Sequence, residues 1–170
     1  MDAICGEARK RNLRVAVHAH GIESVVRAVR AGCTSVEHGA LVDQATLDLM
    51  AEHGTYFDPN TDLIFRNYFE NKSRFLDTPG YTEEGFAAME KAVPRVLEVF
   101  KKGLRTKNLK IVFGTDALAG SHGRNVQELV YRVPAARTRW PRSSPRHPSP
   151  PNRFALVTGS ARSCRGTKPT

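Results

Sequence analysis

Three short apolar segments, spaced along a repeating strand–helix pattern, each end in a side chain that can bind a metal. They are Val15-Ala16-Val17-His18-Ala19-His20-Gly21, Thr34-Ser35-Val36-Glu37-His38-Gly39 and Ile111-Val112-Phe113-Gly114-Thr115-Asp116-Ala117. Between them lie helical stripes. Val25, Val26 and Val29 recur at helical spacing before Gly32. Asp43 is placed to cap a helix carrying Leu47, Met50 and Ala51 that stops at Gly54. Thr82 caps a longer helix with Phe86, Met89, Val93, Val96, Leu97 and Phe100, interrupted by Pro94 and closed by Gly103. The order is one helix over residues 2–12 and then four strand–helix units, with strands at 13–18, 33–37, 55–58 and 110–114. No hairpin turn breaks the series, so the strands are expected to lie parallel with right-handed crossovers.

That arrangement decides where chemistry can sit. In parallel α/β scaffolds, side chains at the C-terminal strand ends line the mouth of the fold. Two imidazoles and a carboxylate delivered there make the core of a divalent-metal site. By the period-two rule Ala16, His18 and His20 share one strand face, and Val15 and Val17 the other. Residues 60–81 read as a long loop rich in aromatic and charged residues, of the kind that often covers a site.

Charge divides the chain in two. Residues 134–170 carry eight of the 26 Lys and Arg, seven of the ten prolines and no acid, which leaves 18 basic against 17 acidic residues in 1–133. A near-neutral folded body with a basic, Pro-rich, disordered tail is therefore expected. Cys5, Cys33 and Cys164 have no CxxC spacing and read as reduced thiols. No apolar run reaches bilayer-spanning length, and the amino-terminal segment lacks the pattern of a signal peptide. A cytoplasmic location is the expectation.

The segments VAVHAHG, AGCTSVEHG with the following DQATLDLMAEHG, and FGTDA together resemble the metal-dependent amidohydrolase superfamily. The likeness is to its imidazolonepropionase-like branch and to its prolidase-type dipeptidases, which cut Xaa-Pro or Xaa-Arg bonds. It covers about residues 1–133 and implies strands five to eight of a (β/α)8 barrel. It implies a hydrolase of carbon–nitrogen amide, peptide or cyclic amide bonds that uses one or two Zn²⁺ ions. His18, His38 and Asp116 are the implied metal ligands, and Asp116 is also the implied proton carrier. His20, His122 and Tyr56 are the candidates for substrate contact. The family's His-x-His pair of strand one and its bridging carbamylated lysine of strand four correspond to nothing in this sequence. The chain alone is thus expected to be an inactive fragment, acting on a small amide or dipeptide substrate only with a partner half or a second copy. Partners in the membrane are not expected.

The tail carries a further signal. Reading each codon as the third base of one codon plus the first two of the next, with allowed synonymous choices, turns Thr158–Thr170 into Asp-Arg-Ile-Gly-Ser-Leu-Val-Pro-Gly-Tyr-Glu-Ala-Asp. This is similar to the segment by which amidohydrolases return to their small β-domain. Residues 134–170 are accordingly expected to be frameshifted, and the nucleotide sequence near Val133–Ala135 tests this: a frame that restores no such segment excludes it. The competing class is a non-catalytic protein that grips nucleic acid through the basic tail. Only Trp140 and Phe154 accompany those charges as aromatics, so the pattern does not favour it.

Overall fold

The computed structural model describes residues 1–137. In chain order these form α1 (Asp2–Lys10), β1 (Ala16–Ala19), α2 (Ile22–Arg30), β2 (Ser35–His38), α3 (Gln44–His53), β3 (Tyr56–Asp58), α4 (Leu63–Glu70), α5 (Lys72–Leu76), α6 (Glu83–Arg105), β4 (Lys110–Ile111) and α7 (Val126–Arg137). The strands make one parallel sheet in the order β1-β2-β3-β4. The register pairs Ala19 with His38, Glu37 with Asp58, and Phe57 with Ile111. Because all four strands run the same way, their C-terminal ends share one edge.

One face of the sheet meets the helices. Val17, Val36 and Phe57 pack against Val25, Val29, Leu47, Met50 and Val99, all buried. The alternation in β1 follows from this: Val17 and Ala19 are buried, while Ala16 and His18 are exposed on the opposite face. Capping agrees with the sequence. The Asp43 carboxylate accepts from the Thr46 N–H and hydroxyl, and the Thr82 hydroxyl accepts from the Gly85 N–H. Gly54 ends α3 at φ +70°, a conformation costly for any residue with a Cβ.

Three expectations are corrected. Residues 60–81 are not a loop but contain α4 and α5, with Leu63, Ile64 and Asn67 of α4 buried. No side chain caps α4 locally; its first free amides are taken by Glu128, 65 residues away at Leu63. A helix start supplied from so far along the chain leaves no local signature. β4 ends at Ile111 rather than Gly114. The Val112 N–H still reaches the Phe57 carbonyl at 2.9 Å, but the Val112 and Gly114 carbonyls turn to Arg132 instead of a ladder.

The third correction concerns the thiols. Cys5 of α1 and Cys33, just beyond α2, are buried together and joined as a disulfide. Helix packing rather than sequence spacing brings them together. Helix α7 runs through Pro134 to Arg137, and the rest of the expected tail lies outside the described residues.

Candidate metal centre

Strand β1 delivers His18, and His20 follows just before Gly21 starts α2. Strand β2 ends on His38 beside them. The three rings lie 4.6–4.9 Å apart between centroids, His20 stacking on His38 at 22°. One nitrogen from each lies within 4.8 Å of the others. From the β4 side, Asp116 brings Oδ2 to 4.0 Å from His38 Nε2. The set therefore combines two exposed imidazoles, one half-buried imidazole and one half-exposed carboxylate at a single sheet edge.

The backbone at this edge is unusual. His38 has φ +72° and Asp116 φ +45°, both left-handed without being glycine. Such conformations persist only where surrounding structure enforces them, and they concentrate at functional positions. Gly39 continues the turn at φ +50°, where the Phe57 ring leaves no room for a Cβ.

Electrostatics favours neutral rings at His20 and His38. Burial, then the charges of His38 and His18, lower the pKa of His20, against a smaller pull from Asp116. Burial and His18 likewise lower His38, opposed by Asp116, by Glu37 and by a hydrogen bond with Asn60. An imidazole that resists protonation keeps a lone pair for a cation. The donor types gathered here, three imidazoles and a carboxylate, thus fit a divalent ion.

Below the cluster sits a carboxylate pair. Asp58 and Glu37 are register partners, and the Ser35 hydroxyl donates to Glu37 Oε1 at 2.6 Å. Burial, followed by a hydrogen bond to Glu37 and repulsion from it, pushes the Asp58 carboxyl up to about 7; Arg132 and the Gly114 N–H pull the other way. Among the described residues Asp58 Oδ1 accepts no hydrogen bond.

The structure sorts the sequence candidates. It brings His18, His38 and Asp116 together and adds His20 as an equal member of the nitrogen cluster. His122 is exposed and lies outside that cluster. Tyr56 is the first residue of β3, at the end of the sheet away from His38, with Lys110 Nζ 5.1 Å above its ring. Tyr68, Phe75 and Tyr81 stack into a satellite core with ring separations of 4.9–5.9 Å. Burial, the Tyr81 hydroxyl and the Asp116 charge raise the Tyr68 phenol to about 12.

Sequence reading missed Glu37, Asp58, Glu128 and Arg132. Of these only the i, i+4 pair Glu128/Arg132 carried a local signal, and it reads like any surface helix pair.

Comparison with known proteins places this chain in a class. The chain belongs to the amidohydrolase family, whose model matches residues 1–160, and so it is an enzyme by family. Ochratoxinase from Aspergillus niger is 26% identical over 133 residues, covering 78% of this chain and 26% of that protein. A crystal structure of a Xaa-Pro dipeptidase with methionine bound in its active site is 35% identical, with a TM-score of 0.64 over 79% of this chain and 32% of that one. A prolidase complexed with N-methylphosphonate-L-proline is 28% identical, with a TM-score of 0.63 over 79% and 33% of the two chains. The chain thus spans about a quarter to a third of the relatives it matches. Among the described residues no helix is long and apolar enough to cross a membrane.

Proposed function

We propose that this chain is the metal-holding portion of a hydrolase that cleaves amide carbon–nitrogen bonds in small substrates such as dipeptides, N-acyl amino acids or cyclic amides. The observation that carries this is the convergence of His18, His20, His38 and Asp116 at one sheet edge. Its four strands correspond in this reading to half of a (β/α)8 barrel, completed by a partner half or a second copy.

His18 and His38, with Asp116 and with His20 in place of a purely substrate-contacting role, would hold Zn²⁺. A divalent ion held there would supply the charge that acidifies a water and polarises a carbonyl. The residues do the rest. Imidazole ligands would bind without cancelling the ion's charge. Asp116, half exposed and 4.0 Å from His38, is placed to accept a proton from water and pass it to the leaving nitrogen.

Calorimetric titration of the metal-free chain with Zn²⁺ tests the site. One ion should bind, and His38→Ala should abolish binding; a wild-type chain that takes up no ion refutes the assignment. Turnover of Xaa-Pro dipeptides by the Zn²⁺-loaded chain is expected to be absent until a complementary half is supplied. Full activity of the chain alone would overturn the half-barrel reading.

A further inference from the structure

One buried guanidinium gathers the strand ends that carry the site. Arg132 of α7 is 5% exposed. Its Nε donates to Glu128 Oε1 at 2.7 Å, Nη1 to the Val112 carbonyl at 3.2 Å, and Nη2 to the Gly114 carbonyl at 3.0 Å. Nη2 also donates to the Pro59 carbonyl and stands 3.9 Å from Asp58 Oδ1. Its Cζ lies over the Phe100 and Phe113 rings, 5.4 and 5.1 Å from their centroids.

Glu128, fully buried, is held in turn. It accepts from the Thr61 N–H and hydroxyl and from the Asp62 and Leu63 N–H groups, at 2.7–2.9 Å. Burial alone would raise its carboxyl, but the Leu63 N–H, the Arg132 charge and the Thr61 groups outweigh that and lower it. The pair therefore ties the segment after β3, residues 59–63, to the segment after β4, residues 112–114.

Both segments lead directly to the site. Gly114 is two residues before Asp116, whose left-handed backbone has no ladder to enforce it because β4 ends at Ile111. Asn60, near enough to His38 to act on its imidazole, lies between Pro59 and Thr61, the two residues the pair grips. A planar donor fork suits this task, since it fixes several carbonyls in one orientation.

We propose that Arg132, braced by Glu128, is a positioning residue that sets Asp116 and Asn60 against the histidine cluster. The proposal rests on the metal-site reading above for its consequence, but not for its geometry.

Two readouts separate the two ideas, on the full chain. Arg132→Met leaves Glu128 with four donors, so no orphan carboxylate is created. Arg132→Lys keeps the charge and the stem, and secures a folded variant should the first fail to fold. Met50→Ala, in the core away from Arg132, controls for loss of stability as such.

With Co²⁺ as the probe, Arg132→Met should bind about 10–100-fold more weakly, the usual cost of removing a group that orients ligands. Arg132→Lys should recover part of that loss, and Met50→Ala should bind like wild type. By hydrogen exchange without metal, amides in 59–63 and 112–117 should lose protection in Arg132→Met, while 16–20 and 35–39 keep theirs. Wild-type Co²⁺ affinity in both Arg132 variants, or exchange that quickens evenly along the chain, overturns the proposal. If wild type binds no Co²⁺, the metal reading falls, and exchange still decides the role of Arg132.

Discussion

Asp58→Asn gives the sharpest test of the electrostatics beneath the site. Asp58 is 9% exposed, and its carboxyl rises from 3.8 to about 7, chiefly through burial and then through its proton-sharing with Glu37. A group with a raised native pKa binds its proton more tightly when folded. Its stabilising contribution is therefore complete below the unfolded value of 3.8 and disappears as pH rises through about 7. Using these two values, the contribution lost between about pH 5.5 and about pH 8 is roughly 2 kcal/mol. Asparagine keeps the shape and can donate to Glu37 as the protonated acid does, but it cannot titrate. His20 and His38 act with the opposite sign, because their lowered native values withdraw stability as pH falls through the unfolded 6.5. Those histidines are common to both chains, so the quantity to read is the difference between wild type and variant. Urea unfolding followed by circular dichroism, in chelator at several pH values, should show Asp58→Asn gaining on wild type by roughly 2 kcal/mol across that range. Parallel profiles would refute the reasoning, since they would mean that Asp58 ionises in the fold as easily as in the unfolded chain.

Four further outcomes are expected from local geometry. Gly114→Ala would put a Cβ 2.7 Å from Asp58 Cγ; the clash should cost roughly 1–3 kcal/mol in urea unfolding and weaken Zn²⁺ binding through the displaced Asp116. Asp43→Ala removes the cap accepting from Thr46 and should cost about 1 kcal/mol with metal affinity unchanged. Met50→Ala empties a fully buried position and should cost about 2–5 kcal/mol by the same assay. Reducing Cys5–Cys33, a pair separated by 28 residues, should lower stability by about 3–4 kcal/mol on loop-closure grounds, which melts with and without reductant will register.

The parts of this site legible in the sequence are those encoded within a few residues. His18 was placed by period-two alternation beside Val17, and His38 and Asp116 by the strand-like runs before them. The parallel direction of the strands followed from the absence of hairpin turns. Where a feature depends on contacts between distant segments, the local pattern is silent. Helix α4 begins at amides satisfied by Glu128, 65 to 67 positions later, so its start resembled a loop. Cys5 and Cys33 meet because α1 packs beside the turn after α2, which no spacing rule encodes. Tyr56, a candidate for substrate contact, is the first residue of β3, and three residues of extended chain carry that strand from the far end of the sheet to the near one.

The same contrast explains why the ligand set and its support differ in legibility. Metal ligands must be particular residue types at strand ends, so chemistry restricts them and a motif survives. Arg132 acts on the main-chain carbonyls of Pro59, Val112 and Gly114, groups that every sequence possesses. A residue whose partners are carbonyls imposes no demand on the side chains it grips, except for room. Gly114 meets that demand: an added Cβ there would collide with Asp58. Its place in FGTDA thus reflects close packing against the carboxylate pair as much as the turn toward Asp116. The order of dependence follows: helix α7 supplies Arg132, Arg132 fixes the backbone at residues 112–114, and that backbone aims the carboxylate that completes the histidine cluster.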